Sequence, residues 1–410
     1  MARTRFLPIT LFDTQLLASR RLATSSVGHL SVDLFSGMMP LVLLLQRDAL
    51  GLSYSQVGFV SMTFSLASSL TQPFFGWLGD RWGHARLMAF SAAVMGPTVG
   101  GMLIADRFTL LLLLSLVAGL ASGLFHPQGA SLSAQTAVER RGSSVSIFML
   151  GGNLGYSFGP LVASFVLAVG GQLMPALLGL LGVSLAVFVY WLVRGLDQGA
   201  TGARGGTQGS ERAAALALVV TVTLVVFLRS WVQSSVSTYI PQLFRANGAS
   251  TAEAGNVLFG ILFPLALGGL VGGTLSDHLG RRRVLIASTA VIGPAMYGLL
   301  HSSGPSSYFF GPLLGASIGA SIPVSIIMTQ ELVPRGLGLM SGIAMGLSFV
   351  SGAIGVWATG LLADQIGLYS ALSINAALPI AAALLAFFLP PDQLKRPAGS
   401  PVARAETLGE

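Results

Sequence analysis

Hydrophobic and polar positions alternate along this chain on a coarse scale, as long apolar runs cut by short polar turns. A helix needs roughly 20 mainly apolar residues to cross a hydrocarbon core of about 30 Å. Twelve runs meet that length, and predict spans at 22–46, 54–79, 86–105, 108–131, 142–169 and 172–194, then 213–241, 252–276, 283–301, 306–330, 336–363 and 368–389. The stretch Gly195 to Arg212, rich in Gly, Thr, Arg and Gln, reads as a flexible linker. The expected fold is an all-α integral membrane protein of twelve transmembrane helices. A six-helix bundle occupies 1–194, the cytoplasmic linker 195–212, and a second bundle with a polar tail 213–410. Residues 1–21 fit an interfacial amphipathic helix or a plain extension of the first span, and the tail from Pro390 fits a disordered segment.

Composition narrows this further. Hydrophobic residues make up 53% and charged residues only 9% of the 410 positions, against roughly 25% charged in soluble domains. With no cysteine, structural disulfides, Cys-zinc sites, iron-sulfur clusters and thiol nucleophiles are excluded. The net charge of +7 comes from short basic clusters between spans, with no aromatic-interleaved basic stripe, so no nucleic-acid partner is expected. These clusters instead report orientation. With both termini placed in the cytoplasm, eighteen of the 22 basic residues lie on the inner side; Arg47, Arg107 and Arg245 lie outside, and Arg229 falls within the seventh span. Nucleotide hydrolysis has no support, since no G-x-x-x-x-G-K-S/T run occurs. No cofactor and no metal site is expected.

The chain repeats itself. GWLGDRWGHAR at Gly76 to Arg86 returns as GTLSDHLGRRR at Gly273 to Arg283, with an offset of 197 that pairs Gly76 with Gly273, Asp80 with Asp277 and Gly83 with Gly280. Both copies fall between the second and third spans of a half, which indicates two similar six-helix halves related by an axis along the membrane normal. Here the chain resembles the major facilitator superfamily, whose signature at this turn is G-x-L-x-D-x-x-G-R/K-R/K; His84 and Ala85 replace the basic positions in the first copy. The resemblance implies gating roles for Asp80, Arg81, Arg86, Asp277, Arg281 and Arg282, as ion pairs closing the cytoplasmic face with Glu139, Arg140, Arg141, Glu331 and Arg335. Gly123 to Ala137 and Ser146 to Pro160, with His29 and Asp33 four residues apart, are similar to the fosmidomycin-resistance subgroup of drug exporters. Gly155, Gly159 and Pro160 match the antiporter signature G-x-x-x-G-P-x-x-G-G, although Ala163 and Ser164 stand where it has glycines. Gly151, Gly155 and Gly159 equally fit close helix packing. The implied setting is a bacterial inner membrane and the implied assembly a monomer.

Ionisable groups within a span are costly and usually face a cavity with a partner. They are His29 and Asp33 in the first span, His126 in the fourth and Arg229 in the seventh. Burial favours the neutral form of Asp33 and a facing Arg229 its anion, so Asp33, with His29 and His126, is a candidate for proton coupling. Arg229, His126, Gln233, Asn153, Asn256 and Phe263 are candidates for binding cargo, and the Phe125 to Gln128 run, broken by Pro127, for a substrate-facing irregularity. A fixed buried ion pair with two hydrogen-bonded histidines, and a simple kink at Pro127, are the bland alternatives. The expected function is proton-coupled efflux, by alternating access, of small drugs or phosphonate-like anions. The alternatives are a proton symporter importing a sugar or carboxylate, or a channel or scramblase on the same scaffold. An enzyme is not expected, because the intramembrane ionisable set looks small and dispersed.

Overall fold

A computed structural model describes residues 19–134, 141–194, 196, 213–302, 306–332 and 337–389. The first half comprises α1 (Arg20–Leu50), α2 (Tyr54–Trp82), α3 (His84–Met102), α4 (Phe108–Ala134), α5 (Arg141–Gly170) and α6 (Met174–Val193). The second comprises α7 (Ala213–Ala246), α8 (Thr251–Leu279), α9 (Arg281–His301), α10 (Ser307–Leu332), α11 (Leu337–Ile366), α12 (Leu368–Asn375) and α13 (Leu378–Ala386). The expected segment 1–18, the linker from 197 and the tail from 390 lie outside the described residues, as do Glu139, Arg140, Arg335 and the side chains of Arg141 and Glu331.

Among the described residues ten helical stretches are long and apolar enough to cross a membrane; α2 and α3, which carry Asp80, Arg81, His84 and Arg86 at their shared turn, are not among them. The belt for lipid is supplied by exposed Phe74, Phe90, Phe165, Trp191, Val271 and Phe388. The predicted span 368–389 is one apolar stretch, Leu368–Ala386, within which a turn at Ala376 and Ala377 parts α12 from α13. Pro379 lies in the first turn of α13, where its missing N–H leaves the carbonyl four residues earlier without its usual helix donor.

The repeat reaches into the details of the backbone. Ser53 caps α2 in a reciprocal capping box with Gln56, and Ser250 caps α8 in the same way with Glu253, again 197 residues on. Gly83 and Gly280, at φ 93° and 95°, end α2 and α8 and start α3 and α9. Only glycine takes that backbone without strain.

The halves join mainly through α2 on α11 and α5 on α8. Several of their described bonds lie at the end opposite the two signature turns. Asp364, near the end of α11, accepts the backbone N–H groups of Tyr54 (2.8 Å) and Ser55 (3.0 Å) at the start of α2. Tyr239 of α7 donates to the carbonyls of Tyr54 and Val356, and Arg245 pairs with Asp48 at 3.1 Å. Those last two residues are 197 apart, so the ion pair joins repeat mates.

Candidate polar site at mid-depth

α1, α4 and α5 pack around His29 and Asp33. The stripe Gly151, Gly155 and Gly159 of α5 lies against the α1 backbone at Ser26, Leu30, and Leu34 with Gly37. Each glycine is so close that a Cβ would strike main chain. Gly152, next in the stripe, faces the His29 imidazole, and a Cβ there would fall on the ring. The ring is held between this glycine and Phe148, on which it stacks at 4.1 Å.

Three of the four intramembrane ionisable groups come together. Asp33 presents one carboxylate oxygen to each histidine: Oδ2 lies 3.1 Å from His29 Nε2 and Oδ1 lies 3.6 Å from His126 Nε2. The other ring nitrogens are anchored on main chain, with His29 Nδ1 2.8 Å from the Phe148 carbonyl and His126 Nδ1 2.7 Å from that of Ser122. A carbonyl oxygen only accepts, so both Nδ1 atoms carry hydrogen and both Nε2 atoms are the ones left for Asp33. A bare Nε2 lone pair would repel a carboxylate at 3.1 Å, so the His29–Asp33 contact requires one shared proton. A second proton on His126 would make the longer contact a charge-assisted bond as well. His29 is 2% exposed, whereas the side chains of Asp33 and His126 keep 16% and 22%.

Tyr156, from the same face of α5, lies close to both Asp33 and Ser237 of α7. Its neighbour Ser157 crosses between the halves, donating to the Leu262 carbonyl of α8 at 2.8 Å. On α7, Ser237, Gln233 and Arg229 follow at four-residue intervals along one face. Arg229 is 2% exposed; it donates to Gln233 Oε1 at 2.9 Å and Ser230 Oγ at 3.0 Å, and its Nε has no partner. The expected facing of Asp33 and Arg229 is not what the fold makes: Asp33 goes to two histidines and Arg229 to neutral neighbours on its own helix.

The other predicted residues scatter. Asn153 stands beside Gly152, and its carbonyl accepts from Ser157. Phe263 stacks on Phe259 and meets Phe158 edge-on, in the seam between α8 and α5. Asn256 is exposed, one residue past the Gly255 that packs on Ser164 and Pro160. The expected irregularity at Pro127 is absent: α4 runs unbroken from Phe108 to Ala134, Phe125 and Gln128 are buried, and Gln128 bonds His84 and the Phe75 carbonyl. Proline here removes one helix bond without unwinding the turn, because tight packing on both sides holds it.

Among the expected gates, Asp80 lies 3.7 Å from His84, Arg81 sits 4.2 Å over the Trp77 ring, and Arg281 lies 3.9 Å from Asp277. Arg282 donates to the Phe387 carbonyl, and Arg86 is exposed. These described contacts all lie within one half. Residues that sequence reasoning missed are Tyr156, Ser237 and Gly152 at the site, and Asp48, Arg245, Asp364 and Tyr239 at the seal. Tyr156 and Ser237 are neutral, so a search for charges passes over them. Asp48 and Arg245 had a usable signal in the 197-residue offset.

Comparison with known proteins agrees with this architecture. Residues 23–221 and 222–409 each match the Major Facilitator Superfamily. The chain is 29% identical over 381 residues to the uncharacterized MFS-type transporter YfnC of Bacillus subtilis (strain 168), covering 90% of this chain and 92% of that protein. It is 29% identical over 389 residues to the fosmidomycin resistance protein of Escherichia coli (strain K12), covering 91% and 93%. Among solved structures, an inward-facing bacterial homolog of the human lysosomal transporter Spinster superposes with a TM-score of 0.74 at 15% identity, covering 90% of this chain and 97% of that one.

Proposed function

The chain belongs to the Major Facilitator Superfamily, and from that premise we propose that it is a proton-coupled exporter of small drug-like molecules, working by alternating access. It is a multi-pass membrane transporter of that family. The observation that carries the proton is the His29–Asp33 contact, which needs a shared hydrogen to exist. Cargo is assigned to the space between this triad and the α7 face of Ser237, Gln233 and Arg229. An anionic group goes to Arg229, a buried cation whose described partners are both neutral. A hydrogen-bond donor on the cargo takes the place of the shared proton on Asp33. Cargo and proton then exclude each other, which is what antiport requires. Phosphonate-like drugs fit this description, in keeping with the resistance named for the Escherichia coli relative.

The basic residues favour placing both termini in the cytoplasm of a bacterial inner membrane. The Asp48–Arg245 and Asp364 contacts then lie on the outer side, and inward opening is the state in which the partly exposed Asp33 and His126 would meet the cytoplasm. One charge relation supports a second reading. An anion lacking such a donor binds better when the triad holds its proton, so anion and proton would travel inward together.

Liposomes containing the purified protein, with fosmidomycin as probe, separate these readings. An acidic outer face should drive fosmidomycin outward, and Asp33→Asn should abolish gradient-driven transport while leaving downhill exchange. Full gradient-driven transport by Asp33→Asn would remove the triad from coupling. Proton-driven uptake into the cytoplasmic side would replace export with symport.

A further inference from the structure

We infer that His29, Asp33 and His126 form a binding site for a divalent transition-metal ion of the zinc class. The inference uses the same three residues as the proton reading but does not depend on transport. Their donor atoms all lie within 4.8 Å of one another. Zinc-class ions bind imidazole nitrogen at about 2.0–2.1 Å, which puts tetrahedral donors roughly 3.3 Å apart. Asp33 reaches His29 Nε2 at 3.1 Å through Oδ2 and His126 Nε2 at 3.6 Å through Oδ1, each contact close to that spacing, so small side-chain rotations bring one carboxylate oxygen and both nitrogens onto one ion.

A second feature is independent of those distances. Both imidazoles turn Nδ1 onto a backbone carbonyl, at 2.8 Å and 2.7 Å. Metal-binding histidines almost always donate their second nitrogen in this way, because it fixes the tautomer and aims a lone pair at the ion. Two imidazoles and one carboxylate match a site that leaves a coordination position for water or cargo. The exposure kept by Asp33 and His126 gives an ion a route in, while His29 is rigidly held by Phe148 and Gly152.

The ion and the proton occupy the same lone pairs. Binding requires both Nε2 atoms bare and Asp33 ionised, so it displaces the proton shared by His29 and Asp33 and weakens as the medium is acidified. The titratable groups around the ion are the triad itself and Tyr156 from α5; Ser237 is the nearby group from α7, and the charged Arg229 is held by Gln233 and Ser230.

Cobalt(II) is the direct probe, since it takes zinc-like sites and colours them. Tag-free wild-type protein in detergent at neutral pH should bind one Co²⁺ per chain with visible d–d absorption and release about one proton. Zn²⁺ should bleach it. His126→Gln and His29→Gln should each weaken Co²⁺ at least tenfold, with size-exclusion profiles like wild type. Absence of Co²⁺ binding by the wild-type chain, or unchanged binding by the double His→Gln variant, overturns the inference. If Co²⁺ fails to bind yet transport still depends on Asp33, the metal site falls and the proton reading stands; Co²⁺ binding with full coupling in Asp33→Asn gives the reverse.

Discussion

Arg229 is a guanidinium 2% exposed, with a glutamine and a serine for partners and one nitrogen unbonded. A residue kept for stability would be expected to carry an acid, since an incompletely satisfied buried charge costs free energy. Arg229→Met should therefore leave thermal stability unchanged or raise it, while weakening anionic cargo roughly tenfold or more and neutral cargo little. A large fall in melting temperature with equal loss of both cargoes would mark Arg229 as structural instead. Gly152→Ala puts a methyl onto the His29 ring, so the 3.1 Å contact to Asp33 must stretch. The expected result is a flattened pH dependence of transport with the protein still folded, checked by transport assays between pH 5.5 and 8. His29 and Asp33 were legible as a pair because i and i+4 share a helix face. The expected Asp33–Arg229 pairing was not made, because the repeat maps Asp33 onto Ser230. One residue is a turn of about 100° around a helix, enough to aim a side chain elsewhere.

At the scale of the helix, small residues decide how near two backbones come. Gly159 of α5 rests on Gly37 and the Leu34 carbonyl of α1, and this contact sets how near the two helix backbones come. In lipid such packing takes the place of the hydrophobic effect between helices. Gly159→Leu should cost about 1–3 kcal/mol, the usual range for overpacking, and lower the melting temperature in detergent by several degrees. A substitution without effect would show that α1 and α5 are free to separate. The glycine spacing was legible in the sequence, as were the matched turns at Gly83 and Gly280. Whether the stripe faced α1, lipid or cargo was not, because four-residue spacing defines a face without naming its neighbour.

Across the whole molecule the halves are held at one end by contacts that join distant parts of the chain. Asp364 accepts two backbone N–H groups at the start of α2, where the helix dipole adds to the charge-assisted bonds. Its loss in Asp364→Ala should favour opening of that end by about 1 kcal/mol, roughly fivefold in population. The chain has no cysteine, so Ser61→Cys, beside Thr238 of the other half, reports opening directly. Its labelling by a membrane-impermeant thiol reagent should rise several-fold in the Asp364→Ala background. Unchanged labelling would mean that Tyr239 and the Asp48–Arg245 pair hold the seal unaided.

Hydropathy determined where the rods lie to within about five residues at each end, and self-similarity at 197 residues determined the two halves. Those follow from short-range rules: the bilayer thickness selects length, and a repeated sequence repeats its local backbone. The convergence of His126 on Asp33 was decided only in three dimensions, because residues 93 positions apart meet through the packing of α4 on α1. The same holds for the Ser157–Leu262 bond between the halves and for the sealing of one end. Helix faces and depths fix these contacts, and a linear pattern records which residues share a face but not what that face will touch.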